Sequence, residues 1–185
     1  MPRGKKLGVG LYIGRFQPPH KGHVHAIKHA LGMVKELLVG IGSAQYSHEF
    51  NNPFTVGERF TMLRLALDSS GIDRRRYTIL PVPDTDVHSI WVAQIRANMP
   101  KFEIIFTNEP LTRRLLEEDG FQVKGIPFFD RKKWNATSVR DRILKNESWI
   151  QFVPRQVAHY IKQIGGVQRI RELSGTDKAE EPHGL

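Results

Sequence analysis

Short apolar runs alternate with longer amphipathic stretches from Leu7 to about residue 172. Leu7 to Ile13 reads as a buried strand, and Gly14-Arg15-Phe16-Gln17-Pro18-Pro19 as the turn that follows it. Val24, Ile27, Leu31 and Val34 recur at helical spacing and predict a helix from about His20 to Val34. Leu37 to Ile41 predicts a second strand, ended by Gly42-Ser43. Thr55 followed three residues later by Glu58 forms a capping box, opening a helix that carries Phe60, Leu63 and Leu67 and stops near Gly71. Tyr77 to Val82 predicts a third strand, Ile90 to Asn98 a short helix and Glu103 to Phe106 a fourth strand. Pro110 suits the first position of a helix ending near Gly120, before a short fifth strand at Phe121 to Val123. Thr137 and Pro154 begin the last clear helices, and Gly165-Gly166 breaks the C-terminal one.

Strands alternating with helices imply βαβ units and a mostly parallel sheet. The expected architecture is α/β and Rossmann-like, with about five strands flanked by helices and a small helical part from about residue 137. One domain is expected over residues 1–174, and residues 175–185, polar and containing Pro182 and Gly184, read as a disordered tail. Ligands of open parallel sheets sit beyond the carboxyl ends of the strands, where the strand order switches. The unusual residues of this chain fall in those segments.

Charge narrows the class of ligand. The chain has 185 residues, with 28 Lys and Arg against 19 Asp and Glu, a net charge of +9. That excess favours polyanions: nucleic acid, a membrane surface or phosphorylated small molecules. Arg74-Arg75-Arg76 and Arg131-Lys132-Lys133 are the densest basic groups, and each reads as a solvated loop. With no cysteine, disulfides and thiolate chemistry are excluded. No apolar run approaches the ~18 residues that cross a bilayer, and the N-terminus lacks a signal-peptide pattern. A cytoplasmic protein is expected.

The first chemical motif is Gly14-Arg15-Phe16-Gln17-Pro18-Pro19-His20-Lys21-Gly22-His23. Gly14 allows a tight exit from the strand, and His20 and His23 project from one face of a helix start. Gly22 leaves the backbone open to a ligand, and the helix N-terminus attracts phosphate. The alternatives are two solvated histidines or part of a zinc site, though no third zinc ligand lies close in sequence. His25 and His29 also mimic metal spacing and read as helix-surface residues. A second anion site is suggested by Thr137-Ser138-Val139-Arg140, where Thr137 can cap a helix and the Arg140 guanidinium can grip two phosphate oxygens. A third candidate is Trp91, just beyond a strand end, which is either core or a flat face for an aromatic base.

The first motif resembles the H-x-G-H signature of nucleotidyltransferases related to class I aminoacyl-tRNA synthetases. Its ten-residue form is similar to that of nicotinamide-nucleotide adenylyltransferases, and Thr137 to Arg140 resembles their S/T-x-x-R segment. Gly42-Ser43-Ala44-Gln45, Ser47-His48 and Asn52-Pro53-Phe54-Thr55-Val56-Gly57-Glu58-Arg59 resemble the archaeal branch of that family. In this block Arg59 reads on its own as a partner for a neighbouring acid. The chain departs from the family pattern at Asn135-Ala136, where Ser-Gly is usual, at His88, where an Asn precedes the Trp, and at Asn108-Glu109 in a loop that is commonly Ser-Gly-Asn-Pro.

The resemblance implies adenylyl transfer from ATP to nicotinamide mononucleotide, giving NAD and pyrophosphate. It assigns catalysis to His20, His23, Arg15 and Arg140, with Arg15 bridging the two substrates. ATP contacts are expected from Gly14, Phe16, Gln17, Gly22, Asn108, Thr137, Ser138 and Val139. Contacts to the mononucleotide are expected from Ser43, Gln45, Asp84, His88 and Trp91. Mg²⁺ is expected to arrive on the ATP phosphates, with no protein metal site, and a homohexamer is implied, with neither nucleic acid nor membrane as partner. The alternatives are an adenylyltransferase for flavin mononucleotide or phosphopantetheine or, from another class, a basic nucleic-acid-binding module.

Overall fold

A computed structural model describes residues 6–85, 87–127 and 134–176. Five strands form one wholly parallel sheet: β1 (Leu7–Gly14), β2 (Val34–Ile41), β3 (Tyr77–Pro81), β4 (Ile104–Phe106) and β5 (Val123–Lys124). Their spatial order is β3-β2-β1-β4-β5. The chain therefore builds outward from β1 to β3, then crosses back to the other side of β1. The switch point lies where β1 and β4 end side by side, with Tyr12 opposite Phe106.

Seven α-helices are described: α1 (Lys21–Met33), α2 (Val56–Ser69), α3 (His88–Asn98), α4 (Pro110–Glu118), α5 (Ala136–Leu144), α6 (Arg155–Gln163) and α7 (Gly166–Thr176). The two-residue period of a buried strand sorts its side chains to opposite faces. Leu37, Val39 and Ile41 of β2 pack with Ile27 and Leu31 of α1 and Leu63 and Leu67 of α2. Leu38, between them, faces the other way, joining Leu11 and Ile105 against Val92 and Ile95 of α3 and Leu116 of α4. A further core joins α2 to the C-terminal helices through Phe54, Met62, Val139, Ile143, Phe152, Val157, Ile161 and Ile170. Each such fully buried side chain stabilises the fold by roughly 1.5–3 kcal/mol.

The capping box predicted at Thr55 is present: Thr55 Oγ1 accepts from the Glu58 N–H at 3.2 Å, and the Glu58 carboxylate accepts from the Thr55 N–H at 2.9 Å. Several boundaries differ from the sequence expectation. The helix expected to include Val34 gives way there to β2 without a loop, because the β-branched, fully buried Val34 starts the pairing with Leu7. Asn135, not Thr137, caps α5, its side-chain oxygen accepting from the Ser138 N–H at 2.7 Å. Phe121 lies outside β5, its N–H closing the end of α4 on the Leu116 carbonyl and its ring stacked on Phe102 at 5.2 Å.

Arg74–Arg76 form an exposed 3-10 turn, with Arg74 and Arg75 largely solvated as expected. Arg74 pairs with Asp68, Arg75 with Asp73, and Arg76 donates to the carbonyls that end α1 and begin β2. Residues 175 and 176 belong to α7. The basic group Arg131-Lys132-Lys133 and the tail at 177–185 lie outside the described residues.

Candidate active site

Two hollows open side by side at the switch point, sharing Ile13 at the end of β1 and Thr107 and Glu109 after β4. The first, of about 290 Å³, is walled by His20, His23, Asn108, Ile126, Trp134 and Asn135. The second, of about 280 Å³, is walled by Arg15, Ser43, Asp84, Trp91 and Thr112.

Two stacked imidazoles form one side of the first hollow. The rings of His20 and His23 lie 3.6 Å apart, and Phe16 packs on the far side of His23 at 4.6 Å. The His20 N–H donates to His23 Nδ1 at 3.2 Å, which fixes the remaining proton of a neutral His23 on Nε2. Burial lowers the His20 pKa to about 4; burial and then the neighbouring His20 hold His23 well below the ordinary histidine value. Both rings are thus neutral at pH 7. His20 Nδ1 is buried without a partner among the described residues.

Gly22 lines the first hollow, and its missing side chain also makes room for neighbouring protein atoms. A Cβ there would stand 2.9 Å from His20 Nδ1 and 3.2 Å from the Trp134 carbonyl oxygen. Its missing side chain lets the residues before α5 dock directly on the start of α1. Trp134 continues the wall, its indole stacked on His25 at 5.2 Å and nearly parallel. His25 is therefore a packing residue as well as a helix-surface one.

Arg140 reaches the same junction from within. It lies on the inward face of α5 with Val139 and Ile143 and is only 2 % exposed. Its Nη1 donates to the Gln17 carbonyl at 2.8 Å, and its Nη2 to Asn51 Oδ1 at 3.2 Å and Thr137 Oγ1 at 3.4 Å. The fork expected to grip phosphate is thus largely engaged by protein oxygens, although its Nε is buried with no acceptor among the described residues. Burial, then the charge of Arg15, lower its pKa to about 10. No ion pair joins Arg15 or Arg140 to an acid among the described residues, although the charge of Asp141 partly offsets that of Arg15 at Arg140.

Other expected ATP contacts stand behind the surface. Phe16 and Val139 are core residues. Buried Gln17 spends its side chain on Phe54, donating to its carbonyl at 2.9 Å and accepting from its N–H at 3.0 Å. Asn108 lines the hollow, but its amide bridges β4 to the chain after β5, donating to the Ile126 carbonyl at 2.6 Å and accepting from the Ile126 N–H at 2.9 Å. Gly14 lies over the Phe16 ring, which a Cβ would meet at 3.0 Å. Thr137 and Ser138 occupy the exposed and half-buried first turn of α5.

In the second hollow, Ser43, Gln45 and Asp84 form one hydrogen-bonded unit. Ser43 Oγ donates to Asp84 Oδ2 at 2.5 Å, and Gln45 exchanges two bonds of 3.0 Å with the Asp84 main chain. Trp91 is half-buried and Arg15 exposed among the residues lining this hollow. His88 opens α3, and its side chain lies outside the described residues.

The sequence did not mark Trp134 or Asn51, and it misread Arg59. Arg59 is 0 % exposed; it senses the charge of the Asp84 carboxylate, but no direct ion pair joins it to an acid among the described residues. Its guanidinium donates to the carbonyls of Arg15 at 3.0 Å, Gly42 at 2.8 Å and Ser43 at 3.0 Å, and its Nε to Thr55 at 3.3 Å. Main-chain acceptors carry no residue-type signature, so no local signal could have revealed them.

Known proteins share much of this sequence and its fold. A profile of cytidylyltransferase-like proteins matches residues 11–142, a span that holds both the imidazole pair and Arg140. The nicotinamide-nucleotide adenylyltransferase of Pyrococcus furiosus is 45 % identical over 173 residues, covering 93 % of this chain and 92 % of that protein. That of Saccharolobus solfataricus is 46 % identical over 172 residues, covering 93 % and 100 %. The chain belongs to the nicotinamide-nucleotide adenylyltransferase family. A solved structure of a bifunctional NMN adenylyltransferase/ADP ribose pyrophosphatase from Francisella tularensis, complexed with AMP and a manganese ion, superposes with a TM-score of 0.80 at 25 % identity. It covers 94 % of this chain, which spans about half the length of that two-function protein (53 %). As a family member the chain is a nucleotidyltransferase with a Rossmann-like fold. No helix among the described residues is long and apolar enough to cross a membrane.

Proposed function

We propose that this enzyme joins the adenylyl group of ATP to nicotinamide mononucleotide, releasing pyrophosphate and forming NAD. The observation that carries the reading is the pair of hollows meeting at Ile13, Thr107 and Glu109, one walled by neutral imidazoles and the other by Arg15, Ser43, Asp84 and Trp91. ATP takes the first hollow and the mononucleotide the second, so the two phosphates meet between them. A phosphate oxygen of the mononucleotide forms the new bond to the α-phosphorus of ATP as the bond to pyrophosphate breaks. That oxygen is already an anion, so no protein nucleophile is required.

Catalysis is then positioning plus neutralisation of developing charge. His23, with its proton on Nε2, and its neighbour His20 donate to phosphate oxygens. Arg15 spans the two substrates. Arg140 contributes charge from behind and exchanges an engaged N–H for a β- or γ-phosphate oxygen, while the first turn of α5, at Thr137 and Ser138, faces the same oxygens. In the second hollow Trp91 offers a face to the pyridine ring, and Ser43, Gln45 and Asp84 offer polar contacts at its rim.

A divalent cation fits as part of the nucleotide: Mg²⁺ keeps phosphate oxygens and water as ligands, and no group of three His, Asp or Glu among the described residues is arranged to hold one. When bound, it supplies further neutralisation of phosphate charge. The same reading makes the enzyme a cytoplasmic homohexamer, on the resemblance to archaeal enzymes alone. Incubation with ATP and Mg²⁺ plus, in parallel, nicotinamide mononucleotide, flavin mononucleotide and phosphopantetheine tests it. NAD and pyrophosphate should form in the first mixture; product only in another overturns the substrate assignment.

A further inference from the structure

We propose that Arg59 is a positioning residue for the mononucleotide, holding the exits of β1 and β2 at the spacing that the second hollow requires. This rests on the assignment of that hollow to nicotinamide mononucleotide. Arg59 is fully buried on α2 and reaches the strand ends through its whole guanidinium. On the β1 side it donates to the Arg15 carbonyl, and on the β2 side to those of Gly42 and Ser43 and, at 3.4 Å, Ala44. Arg15 and Ser43 are the residues those exits present to the second hollow.

The carbonyls belong to backbone that needs holding. Phe16, which follows Arg15, has φ +53°, and Ser43 has φ +50°. Neither is glycine, and such left-handed residues persist only where their surroundings over-determine them. The flat, five-donor guanidinium meets several carbonyls at fixed angles, whereas an ammonium offers a compact charge with fewer directions. Burial lowers the Arg59 pKa to about 10, so it remains charged at pH 7. The charge is spread over the main-chain oxygens of both strand exits, with the Asp84 carboxylate of the second hollow acting on it as well. Arg59 itself has no surface from which to touch a substrate.

The test measures steady-state kinetics of NAD formation for wild type, Arg59→Lys, and Arg59→Ala with and without methylguanidinium, alongside circular dichroism and nicotinamide mononucleotide binding by calorimetry. A misplacement of about 1 Å costs on the order of 100-fold when reacting groups are held for in-line transfer. Arg59→Lys should therefore raise KM and Kd for the mononucleotide by roughly 10- to 100-fold, with KM for ATP changed less than about threefold. Methylguanidinium, but not methylammonium, should restore part of the mononucleotide affinity of Arg59→Ala.

Wild-type affinity in folded Arg59→Lys overturns the proposal. So does a uniform loss of active enzyme with both KM values unchanged, or failure of both variants to fold even with methylguanidinium, since Arg59 would then serve only the fold. A wild-type enzyme that makes no NAD sinks the substrate assignment and this inference with it; one that makes NAD as readily as Arg59→Lys sinks this inference alone.

Discussion

Acidification should weaken this fold in a window set by the stacked imidazoles. The unfolded chain takes up protons on His20 and His23 near pH 6.5, whereas burial lowers the folded His20 pKa to about 4 and holds His23 well below 6.5. Above pH 6.5 both states carry neutral rings, and stability is indifferent to pH on this account. Below it the unfolded state binds protons that the folded state refuses, so stability falls with pH until the folded ring titrates. For His20 the interval from 6.5 to about 4 amounts to about 3 kcal/mol at ~1.36 kcal/mol per tenfold change in proton affinity. His23 adds to the same slope. Carboxylates such as Glu58, whose pKa lies below 4.5, act in a lower window. Urea unfolding at pH 7.5, 6.5, 5.5 and 4.5 reads the slope directly, using midpoints at constant m-value. His20→Asn, which cannot titrate, should lose a large part of the decline between 6.5 and 4.5. Parallel curves for variant and wild type would refute the reasoning.

Two further expectations follow from the same geometry. His23→Ala should keep its fold and lose roughly 100- to 1,000-fold in kcat, the equivalent of ~2.7–4 kcal/mol for a lost transition-state donor, measured as pyrophosphate release. Near-normal turnover would remove His23 from its role. Glu58→Gln breaks the two-pronged pair with Arg169 (2.7 and 2.9 Å) that ties α7 to the start of α2, and it weakens the capping box. With both side chains about one-fifth exposed, the cost should be about 1–2 kcal/mol in chemical unfolding, with KM values unchanged.

Most of the fold could be read from the chain because strand and helix periods were strong where cores are thick. Ile27 and Leu31, and the capping box at Thr55 with Glu58, appear where their spacing puts them. Boundaries slipped where two residues could serve one purpose, as with Asn135 and Thr137, both good caps and only two positions apart. The motif residues at 14–23 and 137–140 do meet, through Arg140 and the Gln17 carbonyl, but residue type could not say which side chains face outward. Phe16, Gln17, Val139 and Arg140 stand behind the surface because the inward faces of the turn and of α5 take them there. Arg59 was hidden for a different reason: its partners are peptide carbonyls, which every residue possesses.

The contact at Gly22 has a mechanical consequence. Because the Trp134 carbonyl oxygen would lie only 3.2 Å from a Cβ at this position, the start of α1 and the turn into α5 are closely packed there. Even a methyl group at position 22 would press first on the His20 ring and then on the Trp134 carbonyl, so one of them would have to give by a few tenths of an ångström.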